Sequence, residues 1–433
     1  MQVSCGLNFY ASWDNLFGFK PQGELSFTYA FGPKSKVKKA CSELFHDKLV
    51  HPVDRNDIIV LDRHKKLEIF KAINPATNQP YFFWFVDNTS HSNGTFESPF
   101  NTLAAAQNAS SVNDVIYVFA GDGTTTGLSS GIVLKDNQQL LGSGANVQIT
   151  TTQGLLTIPQ MTPQFPHLTN TTAAFVVKLA NNNSVSGLEI DGTAFSGSNA
   201  IDGTALITNA NISHNLILTG SGGNGIKFLS NRILGAINIS NCSILGVDNA
   251  SNTFGMFFSD VSNGIVNISN NLISGVNSNS GLARGIDVET FDSLPNGTFT
   301  LLIMDNILSS QTSTSSGSFR AAPIHIGNNF TAGGVGVTLS TSLIGNAISV
   351  PSALPAFAGF YAQQFTNLGS FNLFVSSNTV TSTSTTLPGY RINNYGNTAQ
   401  FVQLLFETNN HGTLLIGNDP QSVSTRPVTL IAQ

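Results

Sequence analysis

A seven-residue segment occurs in three near copies in this chain: NISHNLI at 211–217, NISNCSI at 238–244 and NISNNLI at 267–273. Generalised to apolar–x–x–Asn–x–apolar, the motif occurs six times, with cysteine in the asparagine slot of the second copy. Its starting residues are Ile212, Ile239, Ile268, Ile303, Leu343 and Val375. A repeat at intervals of 27 to 40 residues indicates stacked supersecondary units rather than one compact core.

A second motif, Gly–apolar–x–apolar, alternates with the first through all six rounds. It starts at Gly225, Gly255, Gly285, Pro323 (proline in place of glycine), Gly359 and Gly389. Both motifs alternate with period two, which is typical of β-strands, so each round predicts about three short strands. One coil cannot bury its inner side chains alone, whereas stacked coils can. We therefore predict an all-β parallel β-helix solenoid, right-handed because parallel connections normally are. A β-propeller is the competing repeat fold, but its blades usually span about 40–45 residues.

Stacking places equivalent residues of successive coils above one another, with consequences for the corner asparagines and for the core. Rungs about 4.8 Å apart place the motif asparagines above one another, where their amides should form a hydrogen-bonded ladder. Asparagine tolerates left-handed backbone, so the same residue is expected to bend the chain between strands. Ile226, Met256 and Ile286 should form one buried column.

Residues 86–127 form a predicted cap before the repeats. Ser98 as N-cap and Pro99 as first helical residue predict a short helix to about Ala109, followed by the strand VIYVF at 115–119. This segment resembles the opening of pectate-lyase-like domains. The shared pattern is Asp-Gly or Asn-Gly, then PF-x-T-L-x-x-A, then a strand that ends in Gly-Asp-Gly. The resemblance implies a right-handed β-helix over residues 128–433. It implies little about chemistry, because that fold hosts lyases, hydrolases and non-catalytic passengers.

The N-terminal part differs in charge. Residues 1–71 hold 11 basic and 8 acidic residues, a net of +3, whereas residues 72–433 hold 8 and 16, a net of −8. This shift predicts a domain boundary near residues 72–85. The sparsely charged, mildly acidic body argues against a nucleic-acid partner, which requires a basic face. Three widely spaced cysteines predict neither a disulfide framework nor a metal knuckle, and we predict no cofactor and no metal.

Residues 1–33 have the pattern of a β-hairpin. Between residues 23 and 32, Leu25, Phe27, Tyr29 and Phe31 alternate with polar or small residues, as in an outer-membrane barrel strand or a soluble hairpin. The order of elements resembles that in inverse autotransporters of the intimin and invasin class. A hairpin comes first, a basic linker with a short strand follows over 34–85, and the passenger comes last. That resemblance implies an outer-membrane, cell-surface location through residues 1–33 if the chain is a fragment of a larger barrel protein. The absence of a signal-peptide pattern at the start also favours a fragment.

The outward slot of the Gly-led strand is the candidate ligand-binding ribbon. Its residues on successive rounds are Lys227, Phe257, Asp287, His325, Tyr361 and Arg391. The next outward slot holds Leu229, Ser259, Glu289, Gly327, Gln363 and Asn393. Aromatic rings offer faces to sugars, and carboxylates and amides bind hydroxyls. A merely solvated face is the simplest alternative.

These residues allow two functions. We predict a bacterial cell-surface passenger that binds a surface receptor or polysaccharide without turnover. The alternative is a polysaccharide lyase or glycoside hydrolase, with Asp287 and Glu289 as the acidic pair and Arg284 or His325 assisting. The two carboxylates could also ligate Ca²⁺. A purely structural rod is a third possibility.

Overall fold

The computed structural model of the 433-residue chain divides into two units, Met1–Ile69 and Phe70–Gln433. It describes residues 2–14, 18–30, 71–205, 207–220, 222–229, 233–246, 252–290, 297–309, 312–313, 321–328, 336–350, 358–364, 369–382, 388–394, 402–407, 409–416 and 428–430. The first unit contains the predicted hairpin, an antiparallel pair of strands, Gln2–Asp14 and Gly18–Ala30. The short linker strand predicted from DIIVLDRH, residues 57–64, lies outside the described residues.

The second unit is built on three long sheets, and all their strand pairs are parallel. The twelve-stranded sheet contains Phe83–Val86, Val115–Val118, Gln139–Gly142, Asn183–Ser186, Ala210–Ser213, Ala236–Ser240, Gly264–Ser269, Gly297–Met304, Val337–Ile344, Ser370–Ser376, Val402–Phe406 and Val428–Leu430. The ten-stranded sheet contains Ile132–Val133, Phe175–Lys178, Asn199–Gly203, Asn224–Leu229, Thr253–Val261, Ala283–Thr290, Ala321–Asn328, Phe360–Gln364, Tyr390–Asn394 and Leu414–Ile416. The eight-stranded sheet contains His167–Thr169, Glu189–Asp191, Leu216–Thr219, Ser243–Gly246, Leu272–Ser274, Ile307–Ser309, Ala347–Val350 and Thr379–Ser382.

The remaining described strands form three small sheets. Ile73–Asn74 pairs antiparallel with Gln79–Pro80, and Val147–Thr151 pairs antiparallel with Gly154–Ile158. Asn277–Ser278 pairs in parallel with Thr312–Ser313.

From Asn183 to Asn394 the chain visits the twelve-, eight- and ten-stranded sheets in turn, one strand of each per coil. The predicted parallel β-helix solenoid with three strands per round is confirmed. The twelve-stranded sheet begins with Phe83–Val86, almost wholly within the predicted linker, and the predicted cap segment supplies its second strand, Val115–Val118.

The core is a set of columns that run through the coils. Ile226, Met256 and Ile286 are consecutive partners in the ten-stranded sheet, and none is accessible to solvent. This is the predicted column, and it continues through Ile324 and Phe360. Each inward residue packs on its equivalents in the coils above and below, because one rung alone would leave them exposed.

The predicted asparagine ladder is present between the twelve- and eight-stranded sheets. Asn306 shows the pattern: its backbone N–H and its side-chain Nδ2 both donate to Asn346 Oδ1, each at 3.0 Å. Asn306 Nδ2 also donates to the Ile268 carbonyl at 2.9 Å, and Asn306 Oδ1 accepts from Asn271 N and Nδ2. The slot is occupied by Asn215, Cys242, Asn271, Asn306, Asn346, Asn378 and Asn410. Each interior amide therefore satisfies backbone groups that the corner would otherwise leave unpaired.

Cys242 interrupts this ladder. Its backbone N–H donates to Asn271 Oδ1 at 2.9 Å, as an asparagine would, but its thiol makes long, weak contacts with the Ile212 carbonyl at 3.8 Å and the Ser240 carbonyl at 3.4 Å. Burial raises the pKa of the Cys242 thiol to about 12.

The prediction that the ladder asparagine itself bends the chain is wrong. The left-handed residue is the one before it, with φ between 54° and 68° at His214, Asn241, Asn270, Asp305, Gly345 and Ser377. The left-handed residue and the ladder residue after it have different roles for a physical reason. An exposed residue takes the strained backbone, and the next residue keeps its amide buried and aligned along the stack.

The predicted capping helix begins later than expected. The α-helix spans Leu103–Ala109, and its N-cap is Thr102, whose hydroxyl accepts from Ala105 N. Phe100 forms a parallel bridge with Val86, and this extended pairing holds the segment after Pro99 out of a helix. Leu103 and Ala106 are buried in the main core, which supports the predicted capping role. Among the described residues, no helix is long and apolar enough to cross a membrane.

Candidate functional site

The predicted ribbon on the ten-stranded sheet has the predicted register. Its residues are consecutive partners on neighbouring strands: Lys227, Phe257, Asp287, His325, Tyr361 and Arg391. The second slot is interrupted, because a bulge between Phe258 and Val261 takes Ser259 out of line with Glu289. Left-handed Asp260 (φ 56°) lies within that bulge.

The exposure of the ribbon differs from the expectation of a solvated face. Lys227 and Phe257 are half-buried, with the Lys227 ammonium 5.7 Å from the Phe257 ring centre. From Asp287 onward every ribbon residue is buried, and Tyr361 packs with Ala322 and Ala358. The alternating sequence could not show this, because it distinguishes the two faces of a strand but not what covers the outer one.

Four candidate residues meet in one cluster on two adjacent strands, Ala283–Thr290 and Ala321–Asn328. Arg284 Nη1 donates to both carboxylate oxygens of Asp287, at 2.8 and 2.7 Å, and lies 3.4 Å from Glu289 Oε1. It also lies 2.7 Å from His325 Nδ1, which is itself 2.6 Å from Asp287 Oδ1. Asp287 and His325 are inaccessible to solvent, whereas the Glu289 side chain is 14% exposed.

The cluster continues through polar groups on the next two strands. Gln363 Nε2 lies 2.8 Å from His325 Nε2, and its Oε1 accepts from the Tyr361 hydroxyl. Asn393 Nδ2 donates to the same hydroxyl at 3.3 Å. The structure thus brings together Arg284, Asp287, Glu289, His325 and Tyr361, while Lys227 and Phe257 lie on lower rungs.

The environment shifts the pKa values of the Asp287 and Glu289 carboxyl groups in opposite directions. Burial alone would raise the pKa of Asp287, but the Arg284 charge and hydrogen bonds hold it below its usual range. Burial and the neighbouring Asp287 charge raise the pKa of Glu289 to about 7. Burial and the Arg284 charge lower the pKa of His325 to about 4, so this imidazole is neutral near pH 7.

Ligand atoms of Asp287, Glu289 and His325 all lie within 4.8 Å of one another. One imidazole and two carboxylates at this separation can hold a divalent cation or pass a proton between them. The cluster therefore holds groups able to bind a cation or transfer a proton, and Glu289 is the most solvent-exposed of its four side chains.

A second histidine–carboxylate cluster lies on the eight-stranded sheet and was not predicted. His167 Nε2 lies 3.2 Å from Asp191 Oδ2 and 3.7 Å from Glu189 Oε1, with all three side chains partly exposed. The hydrogen bond to Asp191 raises the pKa of His167 above 6.5 despite opposing desolvation, and the charge of Glu189 adds to the rise.

We expect His167 to make stability depend on pH. A raised folded-state pKa means that the stabilisation is complete below pH 6.5 and is lost as pH rises through the folded value. His167→Gln should therefore lower the unfolding free energy by on the order of 1 kcal/mol or less near pH 5.5, and by less near pH 8.5. Urea unfolding at both pH values measures this, with the exposed His91→Gln as control. An equal loss at both pH values would contradict the assignment.

The outer face of the twelve-stranded sheet was also missed. None of its twelve strands contains an Asp, Glu, Lys or Arg. The first asparagine of each repeated heptad lies here: Asn211 and Asn238 are exposed, and Asn267 Nδ2 donates to Asn238 Oδ1 at 2.8 Å. The signal was in the three heptads, whose first residue is asparagine every time, whereas the fifth is asparagine in two of them.

The same outward column, farther along, contains Leu302, Ser342 and Phe374. A shallow groove of about 230 Å³ opens beside the half-buried Phe374. Its lining includes Thr300, Ser340, Ser342, Asn372 and Leu405. A second groove of about 250 Å³ is lined by amides and small residues around Asn209 and Asn238. The exposed surface of this sheet therefore combines hydroxyls, amides and an aromatic ring without charge.

Comparison of the chain with protein-family models, curated proteins and solved structures gives no match.

Proposed function

We propose that this chain is a non-catalytic surface passenger that binds a polysaccharide along the outer face of its twelve-stranded sheet. The observation that carries the proposal is the uncharged array on this face, with amides at Asn211 and Asn238 and a groove beside Phe374. Amides and hydroxyls exchange hydrogen bonds with sugar hydroxyls, and a phenyl ring packs on the apolar face of a sugar. Rungs repeat about every 4.8 Å, so the array suits a linear polymer lying along the stack. The lack of charge favours a neutral glycan over an acidic one.

Display on a bacterial outer membrane is part of the same proposal. The order of elements supports it: a hairpin over Gln2–Asp14 and Gly18–Ala30 precedes a basic segment and then the solenoid. This order resembles that of inverse autotransporters, and the opening of the solenoid resembles pectate-lyase-like domains. A surface receptor protein is the other partner class that such a passenger would meet.

The buried cluster supports a function without turnover. A polysaccharide chain would have to reach Asp287, which is inaccessible to solvent and hydrogen-bonded to Arg284. The second candidate is a polysaccharide lyase or glycoside hydrolase with Asp287 and Glu289 as the acidic pair. It is favoured by one observation, the convergence of Arg284 and His325 on these carboxylates. Release of new reducing ends, or absorbance of an unsaturated product, would support this second candidate and contradict the first.

The binding test compares two aromatic residues on different faces. Phe374→Ala should weaken binding to the best-bound neutral polysaccharide about five- to tenfold, since an aromatic contact contributes on the order of 1 kcal/mol. Phe257→Ala, on the ten-stranded sheet, should leave binding unchanged. Affinity electrophoresis against neutral and acidic polysaccharides measures both. Loss of binding in Phe257→Ala with retention in Phe374→Ala would contradict the proposed face and favour the ribbon.

A further inference from the structure

The cluster around Arg284 has a hydrogen-bonding conflict. A ring nitrogen of histidine carries either one proton or one lone pair, so it forms one hydrogen bond. His325 Nδ1 nevertheless has two close polar neighbours, Arg284 Nη1 at 2.7 Å and Asp287 Oδ1 at 2.6 Å. When Nδ1 is protonated it faces the Arg284 donor, and when it is bare it faces the Asp287 acceptor. No tautomer satisfies both contacts.

A cation with open coordination positions removes this conflict, because it accepts lone pairs from the imidazole and both carboxylates at once. We infer that Asp287, Glu289 and His325 form a divalent metal site, for an ion with mixed nitrogen and oxygen preference such as Zn²⁺ or Mn²⁺. Imidazole as a ligand argues against Mg²⁺ and Ca²⁺, which prefer oxygen alone. Ligand atoms of the three side chains lie within 4.8 Å of one another, a distance that one shared ion can span.

Arg284 marks the position of the ion. Its Nη1 already contacts all three proposed ligands, at 2.7 to 3.4 Å, and so takes the place of a cation among them. Arg284 Nε, in contrast, has no hydrogen-bond partner among the described residues, although the Arg284 side chain is only 6% exposed. The guanidinium is therefore not fixed at that nitrogen, and it can give way to an ion that enters past the partly exposed Glu289.

Gln363 can fix the histidine for metal binding. In the structure its Nε2 faces His325 Nε2 at 2.8 Å. Reversal of this amide places Oε1 there, where it accepts a hydrogen bond from His325 Nε2–H, and the Nδ1 lone pair is then free for the ion. The released Gln363 NH₂ then faces the Tyr361 hydroxyl, which can accept. A metal-bound histidine commonly donates its second N–H to an oxygen in this way.

The experiment uses the full-length chain, purified without a histidine tag and stripped with chelator. Isothermal titration with Zn²⁺ should show one ion per chain. His325→Gln should lower the affinity by more than about 100-fold, because loss of a ligand exceeds the usual cost of losing a second-shell contact. His167→Gln is the matched control, since His167 also lies between an Asp and a Glu, and it should bind Zn²⁺ as the wild type does.

Pulsed EPR of Mn²⁺ bound to the wild type gives a test that does not depend on any variant folding. The spectrum should show coupling to one imidazole nitrogen. Absence of Zn²⁺ and Mn²⁺ binding at millimolar concentration, a Mn²⁺ spectrum without nitrogen coupling, or loss of binding in His167→Gln would overturn the site. The metal site and the proposed glycan face can be tested separately, because Phe374→Ala changes none of the three proposed metal ligands. Failure of one proposal therefore leaves the other standing.

Discussion

Asn306→Ala should lower the free energy of unfolding by about 4 kcal/mol. The substitution removes the acceptor of the buried Asn271 N–H and of one Asn271 Nδ2 hydrogen, whose other hydrogen still bonds the Ile239 carbonyl. It also removes the side-chain donor to the buried Ile268 carbonyl. Each unsatisfied buried polar group costs about 1–3 kcal/mol. The Asn306 side chain also loses its own bond to Asn346. Urea unfolding followed by circular dichroism measures the change.

Two further variants make this prediction specific to the ladder. Asn238→Ala removes an exposed amide of the same repeat and should cost less than about 1 kcal/mol. Cys242→Asn restores the missing ladder position and should add about 1 kcal/mol, the net value of one hydrogen bond. If Asn306→Ala costs no more than Asn238→Ala, the amides do not hold the corner.

Asp287→Ala should cost about 3–5 kcal/mol, because it leaves Arg284 buried without its main counter-ion. Both side chains are almost fully buried, so solvent screens their charges weakly. The unfolding measurement should be made in EDTA, so that loss of a bound metal does not add to the effect. Glu289→Gln is the matched control, since Glu289 is partly exposed and its contact with Arg284 is longer, 3.4 Å. A cost for Asp287→Ala below that of Glu289→Gln would contradict the described cluster.

Much of the fold could be predicted from the sequence, because equivalent positions in successive coils of a solenoid recur as the same motif. The asparagine slot and the Gly-led strand predicted the ladder, the parallel sheets and the column of Ile226, Met256 and Ile286. The helix start at Leu103 was not predictable from Ser98 and Pro99, because a bridge from Phe100 to Val86 competes with local helix signals.

The candidate site was predictable in register but not in environment. Sequence spacing placed Asp287 beside His325 and near Arg284 and Glu289, and the structure brings these four together. That the ribbon is buried depends on how neighbouring segments pack over it, which no periodicity encodes. The uncharged outer face of the twelve-stranded sheet was missed for another reason. The first residue of the heptad, as in Asn238, lies exposed on this face, and its spacing alone does not show what an exposed amide binds.

Disulfide formation between neighbouring rungs tests the stacked coils most directly. Asn238 and Asn267 are partners in adjacent strands, so a parallel rung places their Cα atoms about 4.8 Å apart, within disulfide reach. Ile265 lies two residues from that partner, about 8 Å away diagonally, beyond reach. Both pairs are placed in a chain with Cys5 and Cys41 changed to serine, while the buried Cys242 stays. We predict that Asn238→Cys with Asn267→Cys cross-links under mild oxidation and that Asn238→Cys with Ile265→Cys does not. Equal cross-linking of both pairs, or of neither, would contradict the register on which the solenoid depends.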